Sequence, residues 1–569
     1  MSINSGIALA AYAKENVSIT IGGVGDSLLE NILTSLSLER QKDNPRLTES
    51  SIKKLHKEAE REIKIALQAL GYYKPTIRSE LNKVEGIWQA HYEIDAGAPL
   101  TVGTLDLQFF GDANNDQAFE KLRAKFPIQS GDVMHHGLYE KSKKDIQRLA
   151  ASRGYFDATF SENKVEVDLE KNTAKVTLHF NSKNRYSFGE VRYSKSPISY
   201  ATLLKLQSFE EGQPYENSLL VKLQQSLSNT DYFEDVEVRP KQELISKNSV
   251  PVQVKLTPKK RNRYTAGVGF GTDTGPRIKF GWKSRYINEY GHRASADIKL
   301  SPVLSTMTTN YTLPHFPKKG VELDFGGGLS REDTDTSRSD TLNLAVNYRQ
   351  KRWGWDEAIN ISYLIENFEI GRTERSSQLL LPGITWSMTE TDSPTYTKNG
   401  FHVDLNIRGA SENILSDVTL IQASLNGKYI RSFWKNGRVI VRGNIGATSV
   451  SDFDKMPTSL RYFAGGDNSI RGFDYEDLGP RDSNGDIVGG KYLAVGSFEY
   501  EHRIKEKWAL AGFVDAGNSF NDFDDEIEYG VGFGVRWFSP VGLVRVDLAS
   551  GISDPDKPVR LHIRIGPDL

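Results

Sequence analysis

The pattern of apolar and polar positions changes near residue 258. Before that point, stripes of helical period alternate with short period-two runs; after it, period-two runs of about ten residues follow one another, separated by turn residues. In the first stretch, Ile52, Leu55, Ala59, Ile63, Ala66 and Leu70 fall on one helical stripe from about Thr48 to Leu70. Gly71 then ends the helix, because glycine accepts the left-handed C-terminal conformation cheaply. A second helix carries Leu138, Ile146, Leu149 and Ala150, stops at Gly154, and is followed by alternating runs at Val165–Leu169 and Lys175–Phe180. The third stretch opens with a strand near Phe188–Val191, continues through Leu203, Leu206 and Leu219–Leu227, and closes with Val236–Val238 and Val252–Leu256. Gly71-Tyr72-Tyr73, Gly154-Tyr155-Phe156 and the weaker Asp231-Tyr232-Phe233 lie 83 and 77 residues apart. That spacing predicts a threefold repeat of strand, two helices and two strands.

From Arg263 onward the runs predict strands with one apolar and one polar face. Tyr264, Ala266, Val268 and Phe270 share a face, with Thr265, Gly267, Gly269 and Gly271 on the other. Near the end, Val544, Val546 and Leu548 alternate with Arg545 and Asp547, and Leu561, Ile563 and Ile565 alternate with Arg560, His562 and Arg564. A soluble sandwich shows the same alternation, but residues 263–569 are too many consecutive strand residues for one. An apolar face toward lipid and a charged face toward a wet lumen describe a membrane barrel, the only sheet that satisfies every backbone group in a bilayer. At about 9–11 residues per strand, about sixteen strands fit. The expected fold is three α+β repeats (17–96, 97–182, 183–258) followed by a transmembrane antiparallel β-barrel over 263–569.

Composition narrows the chemistry. A net charge of −2 over 569 residues argues against nucleic acid, and the lack of cysteine removes disulfides, thiolate catalysis and cysteine-ligated zinc. The mean hydropathy of −0.48 would suggest a soluble chain, but barrel strands average out as polar. Gly6–Ala13 resembles the end of a secretory signal without its basic beginning, so residues 1–16 are read as a shortened signal or a tail. Gly25-Asp26-Ser27-Leu28, with Asp132 and His135, matches a hydrolase pattern. Ser27 and Glu30 also form a capping box ahead of an apolar run, and the cap is the expected role. The basic joint Pro258–Arg263 is either a solvated linker or a contact for anionic lipid headgroups.

Three segments carry a family resemblance. Ser469-Ile470-Arg471-Gly472-Phe473 lies in a non-strand stretch, 464–490; Phe513-Val514-Asp515-Ala516-Gly517 and Ser539–Leu548 follow. Together they resemble the BamA/TamA-type outer-membrane insertase superfamily, which also contains the two-partner secretion transporters. The resemblance implies POTRA units for the three repeats, sixteen barrel strands and a periplasmic location for the repeats. It also implies that Arg471, Gly472 and Phe473 fold back into the lumen, with Arg471 pairing to Asp515. Three repeats and a Gly-Pro-acid-Leu ending look most like the TamA-type members. That implies a TamB-like periplasmic partner, unfolded outer-membrane proteins as substrates, and no enzymatic chemistry, cofactor or metal. The alternative is a two-partner-type channel that exports its substrate through the lumen. Closure of the barrel is expected between Tyr264–Gly271 and Leu561–Leu569. Pro567 cannot donate to a ladder there, and Gly267 and Gly269 pack little. A weak lateral seam involving Gly267, Val268, Gly269, Ile563 and Pro567 is therefore expected.

Overall fold

The computed structural model describes residues 15–314, 320–393, 396–539 and 542–566. The signal-like stretch, Pro540, Val541 and Pro567 lie outside them. Two compact units are resolved: residues 1–194 with 208–224 and 237–255, and residues 256–569 with 195–207 and 225–236.

The repeats are built from β1 (Asn16–Gly22), α1 (Asp26–Ser35), α2 (Ser37–Gln41), α3 (Glu49–Ala69), β2 (Thr76–Val84) and β3 (Ile87–Asp95); β4 (Thr101–Phe110), α4 (Gln117–Ala124), α5 (His136–Ser152), β5 (Thr159–Asp168) and β6 (Thr173–Asn181); then β7 (Ser187–Tyr193), α6 (Tyr200–Leu204), α7 (Asn217–Ser228), β8 (Phe233–Pro240) and β9 (Ser249–Pro258). Each forms a three-stranded sheet, ordered β1-β3-β2, β4-β6-β5 and β7-β9-β8. The last strand of each lies parallel to the first. The helical stripe does what its period predicts: Ile52, Ala59, Ile63 and Ala66 are buried in α3 against Ala90, Tyr92 and Ile94 of β3.

The repeated Gly-aromatic motif also joins successive units. Gly71 (φ 93°) and Gly154 (φ 83°) sit in the left-handed conformation, and their carbonyls accept from Leu100 N–H (2.8 Å) and Tyr186 N–H (2.9 Å), just ahead of β4 and β7. The third copy shifts by one residue: the Tyr232 carbonyl accepts from Lys259 N–H at 2.9 Å. Here Asp231 takes the left-handed position (φ 62°), and its carboxylate pairs with Lys259 at 2.7 Å. In the same joint Arg261 donates to the carbonyls of Tyr286 and Ile287. Two of the basic joint's side chains are thus engaged by protein groups.

The hydrolase-like residues are structural. Gly25, not Ser27, caps α1, and no side chain bonds the cap; Ser27 is exposed within the first turn, so the expected capping box does not form. His135 caps α5 through Nδ1, which accepts from Leu138 N–H at 3.1 Å, and Asp132 accepts from Gln129 N–H at 2.7 Å.

The second unit contains a closed barrel of sixteen strands: β10 (Asn262–Gly271), β11 (Gly275–Ser284), β12 (Arg293–Leu300), β13 (Leu304–Pro314), β14 (Glu322–Asp333), β15 (Ser337–Arg352), β16 (Trp355–Ile370), β17 (Thr373–Thr391), β18 (Asn399–Ala410), β19 (Leu420–Phe433), β20 (Gly437–Val450), β21 (Tyr492–Lys505), β22 (Trp508–Phe520), β23 (Glu528–Ser539), β24 (Gly542–Gly551) and β25 (Val559–Ile565). All neighbours pair antiparallel. The strands are not uniformly ten residues long: β15, β16 and β17 span 16, 16 and 19 residues, whereas β25 spans 7. The outer face carries exposed Phe280, Leu344, Ile361, Ile421, Phe498 and Phe533. Buried charged side chains of the barrel, among them Glu366, Arg438, Glu499 and Arg536, lie on the inner face.

Candidate functional site

Between β20 and β21 the chain leaves the wall for some forty residues and is tied back to its inner face. Glu366 of β16 accepts from Thr458 Oγ1 (2.7 Å) and from Ser459 N–H (3.1 Å). Met456 and Leu460 pack with Leu364, Leu379, Leu381 and Leu420. Arg461 then staples the loop to itself, donating to the carbonyls of Met456 (2.9 Å) and Val488 (3.0 Å).

At the deepest part of this loop each residue of the Arg-Gly-Phe triplet meets a different element. Arg471 is 2% exposed. It donates to Asp515 of β22 from Nε (2.7 Å), Nη2 (2.9 Å) and its own N–H (3.1 Å). Nη1 reaches Glu499 at 2.8 Å and Asp547 at 3.3 Å, and the guanidinium carbon stands 3.3 Å from the centroid of the Phe513 ring. Gly472 N–H donates to His562 Nε2 of β25 at 3.0 Å. Phe473 is buried against Gly551.

The approach is possible because the wall is glycine where the loop lands. A Cβ on Gly530 would lie 2.0 Å from the Arg471 carbonyl oxygen, and one on Gly551 would lie 2.7 Å from the Phe473 ring. Gly472 itself (φ 102°) has backbone of Ser550 and Gly551 where a side chain would project.

Arg471 is one member of a continuous network. Arg438 pairs with Glu501 (Nε to Oε2, 2.8 Å); Arg536 bonds Glu501 (3.0 Å), Glu499 (2.6 Å) and Asp547 (2.5 Å); Arg442 lies 3.7 Å from Asp515. Four guanidinium groups thus face four carboxylates, with charge-assisted bonds on each, which is how a low-dielectric interior holds ions at tolerable cost. Sequence reasoning reached Arg471 and Asp515. It placed Asp547 only on a lumen-facing period and missed Arg536, Arg438 and Arg442. The signal that a segment lands on this wall was the glycine pair Gly530 and Gly551.

The same loop spans the barrel's closure. β10 and β25 share a single ladder pair, Gly271 with Arg564, whereas β11–β12, β12–β13 and β24–β25 share seven each. Val268 is 89% exposed, and among the described residues of β25 none pairs with Asn262–Phe270. Gly267, Val268 and Gly269 are therefore not brought against Ile563, whose backbone instead bonds Thr272: Thr272 N–H donates to its carbonyl (3.2 Å) and Ile563 N–H to Thr272 Oγ1 (3.1 Å).

Side chains make up part of the missing ladder. Asp467 Oδ1 accepts from Thr272 Oγ1 and from His562 Nδ1, each at 2.8 Å, while Asp467 N–H donates to Asp273 at 2.7 Å. Arg564 donates to the Asp467 carbonyl at 3.3 Å. His562 accepts from Gly472 on its other nitrogen, so its proton sits on Nδ1. Asp273, Asp467 and His562 lie close enough to share an ion, but both imidazole nitrogens are already used in this bridge.

Residues 263–568 match the Omp85 superfamily domain, 18–96 match POTRA domain TamA domain 1, and 106–183 match a POTRA unit described as a surface antigen variable number repeat. Among curated proteins, the outer membrane protein assembly factor BamA of Nitratidesulfovibrio vulgaris is 25% identical over 366 residues, 60% of this chain and 46% of that protein. BamA of Neisseria meningitidis is 20% identical over 477 residues, 71% of this chain and 59% of that protein. The chain thus spans about half the length of these relatives. The crystal structure of Haemophilus ducreyi BamA lacking POTRA domains 1–3 shares the fold, with a TM-score of 0.69 at 15% identity over 82% of this chain and 99% of that one. The match covers more than half of the sequence and coincides with an outer-membrane barrel of sixteen strands preceded by POTRA sheets: the chain belongs to the Omp85 superfamily, with a first POTRA domain of the TamA type.

Proposed function

We propose that this protein assists the insertion of other outer-membrane proteins, autotransporters among them, through a lateral seam between β10 and β25, without covalent chemistry. The observation that carries the reading is the single Gly271–Arg564 ladder pair. Among the described residues, separating these strands breaks fewer ladder pairs than parting any other neighbours, and the edge from Asn262 to Phe270 would offer its backbone groups to an incoming strand. The short seam strands add to this, since β10 and β25 span 10 and 7 residues. The POTRA sheets, in repeats at 17–96, 97–182 and 183–258, guide the unfolded chain by strand addition at their edges. Arg471, Gly472, Phe473 and Asp515 hold the loop that bridges the seam. A TamB-like periplasmic protein is the partner this reading implies.

Photo-crosslinking from Val268 in cells, with mass spectrometry of the captured proteins, tests it. Capture of outer-membrane barrel chains at Val268 is the expected result. Capture confined to lumen positions beside Arg471, with Val268 silent, would overturn the seam in favour of export through the lumen, for which the loop would have to leave the pore.

A further inference from the structure

The barrel's tryptophans are all at one end. Each even-numbered strand from β10 to β24 begins at the end where the chain arrives from the POTRA repeats, the periplasmic end. There lie Trp282 of β11, Trp355 at the start of β16, Trp386 of β17, Trp508 at the start of β22 and Trp537, which stacks on it with centroids 6.0 Å apart. The remaining two, Trp353 and Trp434, occupy the hairpin tips between β15 and β16 and between β19 and β20.

These two tips break a local rule. Trp353 (φ 52°) and Trp434 (φ 51°) stand in the left-handed conformation, where a tight hairpin normally places Asn, Asp or Gly and where a bulky side chain is strained. Neither is buried in return: they are 85% and 89% exposed, with the Arg352 guanidinium against the Trp353 ring. Strain without internal compensation points to a contact outside the chain.

The depth of the tips identifies that contact. On the outer face of β15 and β16, Tyr348 pairs with Ile359, both exposed to lipid. The next outward pair is Gln350 with Glu357, whose carboxylate accepts from Trp386 Nε1 at 2.8 Å; the next is Arg352 with Trp355. The apolar band therefore ends at Tyr348 and Ile359, and Trp353 lies beyond it among polar groups, with the Arg352 guanidinium 4.4 Å from its ring centroid. On β19 and β20 the order is Tyr429 with Val441, Arg431 with Val439, then Phe433 with Gly437 and the tip. From Asn426 to Gly443 that hairpin contains no acidic residue. Arg438 and Arg442 turn inward, while Arg431 and Lys435 are exposed. An aromatic ring at headgroup depth beside an exposed cation suits a lipid phosphate: the ring lies in the interface and the cation meets the charge.

We propose that the two tips, Trp353 with Arg352 and Trp434 with Arg431 and Lys435, dock the periplasmic end of the barrel on anionic phospholipid headgroups. In the basic joint, by contrast, Lys259 pairs with Asp231 and Arg261 bonds the carbonyls of Tyr286 and Ile287. The inference is independent of the seam.

The test uses the full-length protein in nanodiscs of phosphatidylcholine with or without phosphatidylglycerol, reading co-purifying lipid after detergent washing by native mass spectrometry. Wild type is expected to retain phosphatidylglycerol several-fold over phosphatidylcholine. Trp353→Gly with Trp434→Gly, which relieves the backbone strain and so preserves folding, should lower that retention at least threefold, and Arg352→Gln with Arg431→Gln and Lys435→Gln should abolish the preference for the anionic lipid. Equal retention of both lipids by wild type, or wild-type retention by the variants, overturns the proposal. Wild-type retention together with loss of a periplasmic protein crosslink at Trp434 would also overturn it and assign the tips to a protein partner.

Discussion

Replacing Arg471 with Ala should unbalance the luminal network rather than merely loosen a loop. The substitution removes the two guanidinium bonds to Asp515, whose third bond, from the residue's own N–H, remains, and one each to Glu499, Asp547 and Ser497, so one positive charge is lost beside these carboxylates. Breaking a buried pair in this way costs about 3–5 kcal/mol, because a charge is stranded where water does not reach it. Arg442, at 3.7 Å, still faces Asp515, which favours the lower end, about 3 kcal/mol. Asp515→Asn should cost a similar amount with the opposite charge stranded. In Arg471→Ala with Asp515→Asn the lost charges offset each other, so the double variant should be more stable than the sum of the single losses by about 0.5–3 kcal/mol. Urea unfolding in detergent micelles, followed by the electrophoretic mobility of the folded barrel, measures all four proteins. A loss below about 1 kcal/mol for Arg471→Ala, the range of an exposed ion pair, or strictly additive single losses, would refute the buried-lock account.

Gly530→Ala places a methyl group 2.0 Å from the Arg471 carbonyl; the loop should lift and become more sensitive to trypsin, and unchanged proteolysis would show that the wall yields instead. Thr48 Oγ1 accepts from Ser51 N–H at the start of α3, so Thr48→Ala should cost about 0.5–2 kcal/mol in the first repeat, whereas Ser27→Ala, in an exposed first turn, should stay within about 0.5 kcal/mol by hydrogen exchange. Burial of Asp116 opposes its ionised form, but Arg153, the Ala118 N–H and Tyr155 outweigh that and hold its pKa below the ordinary value. The stability it contributes is complete above about pH 4 and is lost as the pH falls through the lowered pKa. Hydrogen exchange of β4–β6 in the full chain should show that acid sensitivity in wild type and a flatter profile in Asp116→Asn; identical profiles would remove the ion pair from the stability of the second sheet.

Period and punctuation determined much of this protein. The α3 stripe, the glycines at 71 and 154, and the period-two runs after residue 262 each encode a local choice, so the repeats and the barrel were legible. Arg471 and Asp515 were legible through motif resemblance alone, since nothing local in either residue says that two positions 44 apart in sequence come together. The expectation for the closure rested on composition, in Gly267, Gly269 and Pro567. Among the described residues β10 and β25 pair at Gly271 with Arg564, and that ladder offset is a property of the closed sheet that no single strand carries. The same holds for Arg536, His562 and Asp467. Each reads as an ordinary polar position on its own segment, and its role exists only once sixteen strands curve round to set distant residues across one lumen. Sequence fixes which way a side chain faces along a strand; the tertiary structure alone decides what it faces.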